Sequence, residues 1–199
     1  MNEQKLFAVA LTCTSSLFFY PWVISALMAV TPVSSAVLGV VLPLLLGSVS
    51  LAGTMLALNC VEGRRRYLGL PLLLVIGLIV AASFLSVPLG FSRLIGAPGL
   101  LPAVWMVSFL LLAPSSSLFF LSLPERTAAV RTASVIAGVV SLFALLILLL
   151  IGPSMLAGES ILPLIGFLWL YGVIGLPIIG ILFIIIAVCV RKERSGEEG

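Results

Sequence analysis

Six long runs without a single Asp, Glu, Lys or Arg divide the chain, at Leu6–Val30, Val33–Leu58, Tyr67–Val87, Leu100–Leu123, Thr132–Ile151 and Ile161–Val190. A helix needs roughly 20 apolar residues to cross a bilayer, and each run is long enough. The runs are continuous rather than alternating, which excludes a β-barrel. The pattern predicts an all-α polytopic membrane protein, a six-transmembrane-helix bundle. Residues 1–190 form one membrane domain, and 191–199 form a short polar tail. The first run exceeds the length of a signal-peptide core and has no small-x-small cleavage site after it, so it reads as a retained helix.

Composition sharpens this picture. The chain is 62% hydrophobic and only 9% charged, against about 25% charged for a soluble domain. The bilayer is therefore its main partner and solvent. The few charges set the orientation. Lys5, Arg64, Arg65, Arg66, Arg126, Arg131, Arg191, Lys192 and Arg194 all fall on one side of a six-span topology, and Arg93 alone falls on the other. The positive-inside bias then places both termini in the cytoplasm, with the protein in the cell membrane. The net charge of +3 is a topology signal, and no folded basic face is left to bind nucleic acid.

Breaks are expected within the spans. Pro21 lies among Phe18, Phe19, Tyr20 and Trp22, which are expected toward the outer interface. The second span carries Gly39, Pro43, Gly47 and Gly53, and the pairs Ser48/Ala52 and Gly53/Ala57 have the small-xxx-small spacing that lets helices approach closely. Thr31-Pro32 leaves so short a connection that spans one and two must form a tight hairpin. Pro114 frees a backbone group that the adjacent serines can re-satisfy. Gly152–Ser160 reads as the last outer loop. The sixth run, with Gly166, Gly172, Gly175, Pro177 and Gly180, must tilt, bend or break.

Two phrases recur half a chain apart: Ser15-Ser16-Leu17-Phe18-Phe19 with Ser116-Ser117-Leu118-Phe119-Phe120, and Gly69-Leu70-Pro71 with Gly175-Leu176-Pro177. An inverted repeat would give the serine copies matching depths. Ser15 lies about 14 Å from its helix end and Ser116 about 24 Å, which argues against one.

The candidate chemistry is narrow. There is no His and no Asp in the chain. That excludes His-ligated haem, a His-based nucleophile pair and an intramembrane aspartyl pair, and it speaks against a catalytic zinc site. The two lysines lie at span ends, and no phosphate-cradling Gly-Lys loop is present. The chain is not expected to be an enzyme, and it is expected to hold no cofactor or metal. Ion coupling ordinarily needs an ionisable group at membrane depth, and the spans offer none.

What remains are hydroxyls and arginines. Thr12, Ser15 and Ser16, with Thr14 and Tyr20 nearby, give the first span polar content, and Ser115, Ser116 and Ser117 do the same for the fourth. Either the two sets line a shared polar cavity near mid-depth, opened by Pro114, or the hydroxyls bond back to their own helices and glue neighbours together. Arg64, Arg65 and Arg66 offer a cytoplasmic docking site or a contact for anionic lipid headgroups, beside their role in topology. Arg93 and Glu159 are the only outer charges and are placed to pair. Cys13 reads as a small core residue. Cys60 and Cys189 sit at the cytoplasmic boundary as interfacial thiols or palmitoylation sites, and none belongs to a disulfide framework.

In size and span count the chain resembles the substrate-binding membrane subunits of energy-coupling-factor transporters. Glu62-Gly63-Arg64 after the second span is similar to the inner loop of type-two ABC exporter permeases. Both resemblances imply a solute-binding or permease subunit served by a separate cytoplasmic ATPase, and neither assigns a site residue. The broken helices favour such a transport component. The absence of buried ionisable groups favours the alternative, a non-catalytic accessory or scaffold subunit among other membrane subunits.

Overall fold

The computed structural model describes residues 3–30, 37–86, 100–123, 128–157 and 162–195. Every regular element among them is helical. Among the described residues, six helices are long and apolar enough to cross a membrane: Glu3–Val30, Leu38–Asn59, Gly63–Ser86, Ala103–Ser122, Ala128–Leu150 and Gly166–Lys192, here called spans one to six. The chain is thus built as a multi-pass membrane protein. Arg93, Glu159, Arg126 and the Thr31-Pro32 connection lie outside the described residues.

Each span packs against the next, and span one also packs against span six, so the bundle closes in chain order. The first half of span one meets the last half of span six, which brings both ends of the chain to one end of the bundle. The centre is aromatic. Phe18, Phe119, Phe120 and Phe183 are fully buried, and Phe183 lies 5.5, 5.4 and 4.5 Å from the rings of Phe18, Phe119 and Phe120. Both copies of the Ser-Ser-Leu-Phe-Phe phrase therefore feed the same core. Phe18 and Tyr20, expected at the outer interface, are buried, whereas Trp22 is exposed.

Prolines explain the interruptions. Span one is α-helical over Glu3–Ser15, tightens to a 3₁₀ turn over Ser16–Phe19, and resumes over Tyr20–Val30. In an unbroken α-helix the Leu17 carbonyl would take its hydrogen from residue 21, which is proline and has none. The Tyr20 N–H takes that carbonyl instead, one residue early, which is the 3₁₀ pattern. Span two opens with a π turn, Val37–Val41, just before Pro43. Span six breaks into Leu162–Leu170, a π turn over Tyr171–Gly175, and Leu176–Ser195, with Pro177 just beyond the turn.

Two boundaries differ from the sequence expectation. The fifth helix runs over Ala128–Ala157, so its backbone continues through Gly152 and Pro153 where a loop was expected. One proline removes one hydrogen bond, while ending a helix orphans up to four carbonyls, and lipid makes the second loss the worse one. The sixth helix continues to Ser195, into the expected tail. Arg191 and Lys192 lie exposed near its C-terminal end, where cations complement the helix dipole.

The spacing of small residues is realised on one side only. Gly53 and Ala57 are buried, whereas Ser48 and Ala52 are exposed. A Cβ added at Gly53 would lie 2.6 Å from the Ala10 carbonyl oxygen and 2.8 Å from the Thr14 nitrogen. The backbones of spans one and two meet there, and only glycine permits it.

Candidate functional site

The hydroxyls singled out in span one turn toward their own helix or toward span two. Thr12 donates to the Ala8 carbonyl and Ser15 to the Thr12 carbonyl. Ser16 donates across to the Leu46 carbonyl at 3.0 Å. In span four, Ser115 bonds the Leu111 and Leu112 carbonyls and Ser116 the Leu112 carbonyl. The Ser117 hydroxyl lies beside Gly138 of span five. Among the described residues, no hydrogen bond joins the span-one set to the span-four set.

A buried polar seam does exist, between spans one and two. Ser50 donates to the Thr14 carbonyl at 2.8 Å, Thr54 lies 3.3 Å from the Thr14 hydroxyl, and Thr14 donates to Ala10. Ser50 and Thr54 were not singled out in the sequence. Their i, i+4 spacing on the helix face that carries Gly53 was the available signal.

Three of the carbonyls freed by proline receive aromatic caps. Pro114 has no N–H for Leu110, its partner four residues back. The Tyr171 hydroxyl of span six lies 3.1 Å from that carbonyl and 2.8 Å from the Phe109 carbonyl. The serines expected to repair this break bond one and two carbonyls further on. Pro177 has no N–H for Val173, and the Trp22 indole N–H of span one donates to that carbonyl. Leu38 lies five residues before Pro43, the partner that a π register assigns. The buried Tyr20 hydroxyl donates to the Leu38 carbonyl at 3.1 Å. Three proline sites are thereby capped by polar tips from neighbouring spans, two at π turns and one inside span four, whose helix runs unbroken through Pro114 where a break was expected.

The capped positions Leu110 and Val173 lie at a half-open cavity of about 280 Å³ between spans one, four and six. It lies at the end of the bundle opposite both chain ends. Tyr20, Trp105, Phe109, Trp169 and Tyr171 form its aromatic walls, and Pro21 and Gly172 line it at the breaks. Trp105 packs 4.6 Å from Phe109 and stands edge-on to Tyr20 at 81°. None of the lining residues is ionisable at neutral pH. None of the hydroxyls singled out in spans one and four lines it; Tyr20, noted in the sequence for its polar tip, does. Tyr171 was missed because a lone tyrosine in an apolar run carries no spacing signal.

At the opposite end, Arg64 and Arg65 form a 3₁₀ turn and Arg66 begins the third long helix. All three are exposed. Gly63 holds a φ of 73°, the left-handed region that glycine enters freely, and so turns the chain into this cluster. The Arg66 guanidinium donates to Asn59 Oδ1 at 2.7 Å, which ties the end of span two to the start of span three. Cys60 beside it is a free thiol. Burial, and then the nearby Glu3 carboxylate, push its pKa upward.

No protein-family model, curated protein or solved structure matches the chain. Fold and site together define its class, a multi-pass membrane protein with six candidate spans among the described residues and an aromatic cavity beside proline-bearing helices.

Proposed function

We propose that the chain is a membrane-embedded transport component, a solute-binding or permease subunit that depends on a separate energising partner. One observation carries this reading: the cavity lies beside two interrupted helices, just past the 3₁₀ turn of span one and at the π turn of span six, against the continuous helix of span four at Leu110, whose carbonyl Pro114 leaves without its donor. Membrane transporters bind their solutes at helix discontinuities near repeat interfaces, and breaks of this kind have little use in a uniformly packed scaffold. Both termini and the exposed Arg64–Arg66 turn face the cytoplasm of the cell membrane in this proposal. The arginines there offer a docking point for an ATPase or a contact with anionic headgroups.

One observation supports the second reading, an accessory subunit. The spans hold no Asp, Glu, Lys or Arg at membrane depth, so ion coupling has no group to use.

Purification from native membranes in a gentle detergent, followed by mass spectrometry, separates the two. A co-purifying nucleotide-binding ATPase supports transport, and its loss on Arg65→Glu places the contact at the inner turn. A stable assembly without an ATPase overturns transport in favour of the accessory role.

A further inference from the structure

The cavity between spans one, four and six specifies its occupant through what its walls withhold. The Tyr20 and Tyr171 hydroxyls are both spent on backbone carbonyls. The Ser25 hydroxyl, also at the cavity, donates to the Pro21 carbonyl. No charged side chain lines it. A charged solute would lose its water there and meet no opposite charge, only neutral groups such as the Trp105 and Trp169 indoles.

The shape of the walls narrows the choice further. Five of the lining residues are aromatic, and Tyr20, Trp105 and Phe109 already pack on one another with centroids 4.6 to 6.2 Å apart. Rings held this way extend naturally to one more ring by offset or edge-on stacking. Size sets the number of rings. A cavity of about 150 Å³ accepts benzene, so one of about 280 Å³ accepts two fused rings.

We infer that this cavity binds a neutral, planar, two-ring aromatic group that partitions into the bilayer. The inference rests on the solute-binding reading above and names its substrate class.

The test uses the three tryptophans of the chain. Trp105 and Trp169 line the cavity, and Trp22 lies beside it on Val173. Full-length protein in detergent is titrated with 1,4-naphthoquinone, a neutral two-ring quencher, and tryptophan emission is followed. The expected result is saturable quenching, with 2-naphthoate and decane failing to compete and naphthalene competing. Phe109→Leu keeps its backbone carbonyl for Tyr171 and should weaken binding by about 2- to 10-fold through lost ring stacking. Ile24→Phe, which fills the cavity, should abolish saturation. Saturable binding that decane or naphthoate displaces equally well overturns the aromatic class while leaving a solute site standing. Quenching that is linear in every variant, as for simple partition into the micelle, overturns the site itself and the transport reading with it. Unaltered binding in a folded Phe109→Leu protein also overturns the inference.

Discussion

The Tyr171 hydroxyl sits 3.1 Å from the carbonyl of Leu110, the acceptor that Pro114 leaves without its helical donor. The relationship ties the proline site of span four to the π turn of span six, and it fixes one wall of the cavity. Tyr171→Phe should therefore destabilise the protein. A buried acceptor left unpaired costs about 1–3 kcal/mol, though side-chain hydrogen bonds in membranes average about 0.6 kcal/mol. Restoring the N–H tests the cause. In a Pro114→Ala background the helix supplies Leu110 itself, and Tyr171→Phe should then cost much less. A double-mutant cycle on unfolding in detergent reads the coupling. Equal costs in both backgrounds would show that the hydroxyl does not cap a proline break.

The contact at Gly53 gives a second expectation. Gly53→Ala forces a methyl group to within 2.6 Å of the Ala10 carbonyl oxygen. Overpacking of this kind costs about 1–3 kcal/mol. Gly77→Ala meets only Leu51 at 4.0 Å and should be neutral or slightly stabilising, since alanine is the better helix former. Thermal midpoints of the two variants in the same detergent should move in opposite directions or differ clearly in size.

The seam between spans one and two is asymmetric with the hydroxyl of span three. Thr54→Val removes a buried group bonded to Ser50 and set against Thr14, and should cost about 0.6 kcal/mol, the membrane average. Ser83 is fully buried, and its hydroxyl has no partner among the described residues. Ser83→Ala discards an unpaired polar atom and should be neutral or stabilising. Comparable losses from both substitutions would place a partner, such as a bound water, on Ser83.

The span count and the all-α class were readable from sequence because length and hydropathy alone decide them, whereas the glycines and Pro177 of span six left tilt, bend and break equally open. The arginine turn was equally plain, since charge is rare in this chain. The cavity was not. Its walls are Tyr20, Trp105, Phe109, Trp169 and Tyr171, residues that in sequence resemble ordinary interfacial aromatics. Only the closed ring of spans brings Trp105 and Tyr171 beside Tyr20. The serine clusters drew notice because hydroxyls stand out against an apolar background. A serine in a helix satisfies itself one turn back, as Ser116 does on Leu112, so polarity in the sequence did not translate into polarity in a site. The prolines carried the better signal. Pro43, Pro114 and Pro177 each mark a carbonyl that a side chain of a neighbouring span reaches.

Cys60 supplies the pH-dependent expectation. Its thiol lies between spans two and three, and burial followed by the Glu3 charge raises its pKa. A raised thiol pKa means less thiolate at neutral pH, and the thiolate is the reactive form. In a Cys13→Ala, Cys189→Ser background, iodoacetamide should therefore modify Cys60 more slowly at pH 7.5 than it modifies a free thiol, with the rate rising toward alkaline pH. Glu3→Gln removes the charge that opposes ionisation, so the rate profile should move to lower pH. It should stop short of the free-thiol profile, because burial, the larger cause, remains. An unchanged profile in Glu3→Gln would separate the chain's beginning from the turn after span two. The same variant reports orientation. With the termini inside, a membrane-impermeant maleimide added to intact cells should label Cys60 only after permeabilisation, and direct labelling would invert the topology.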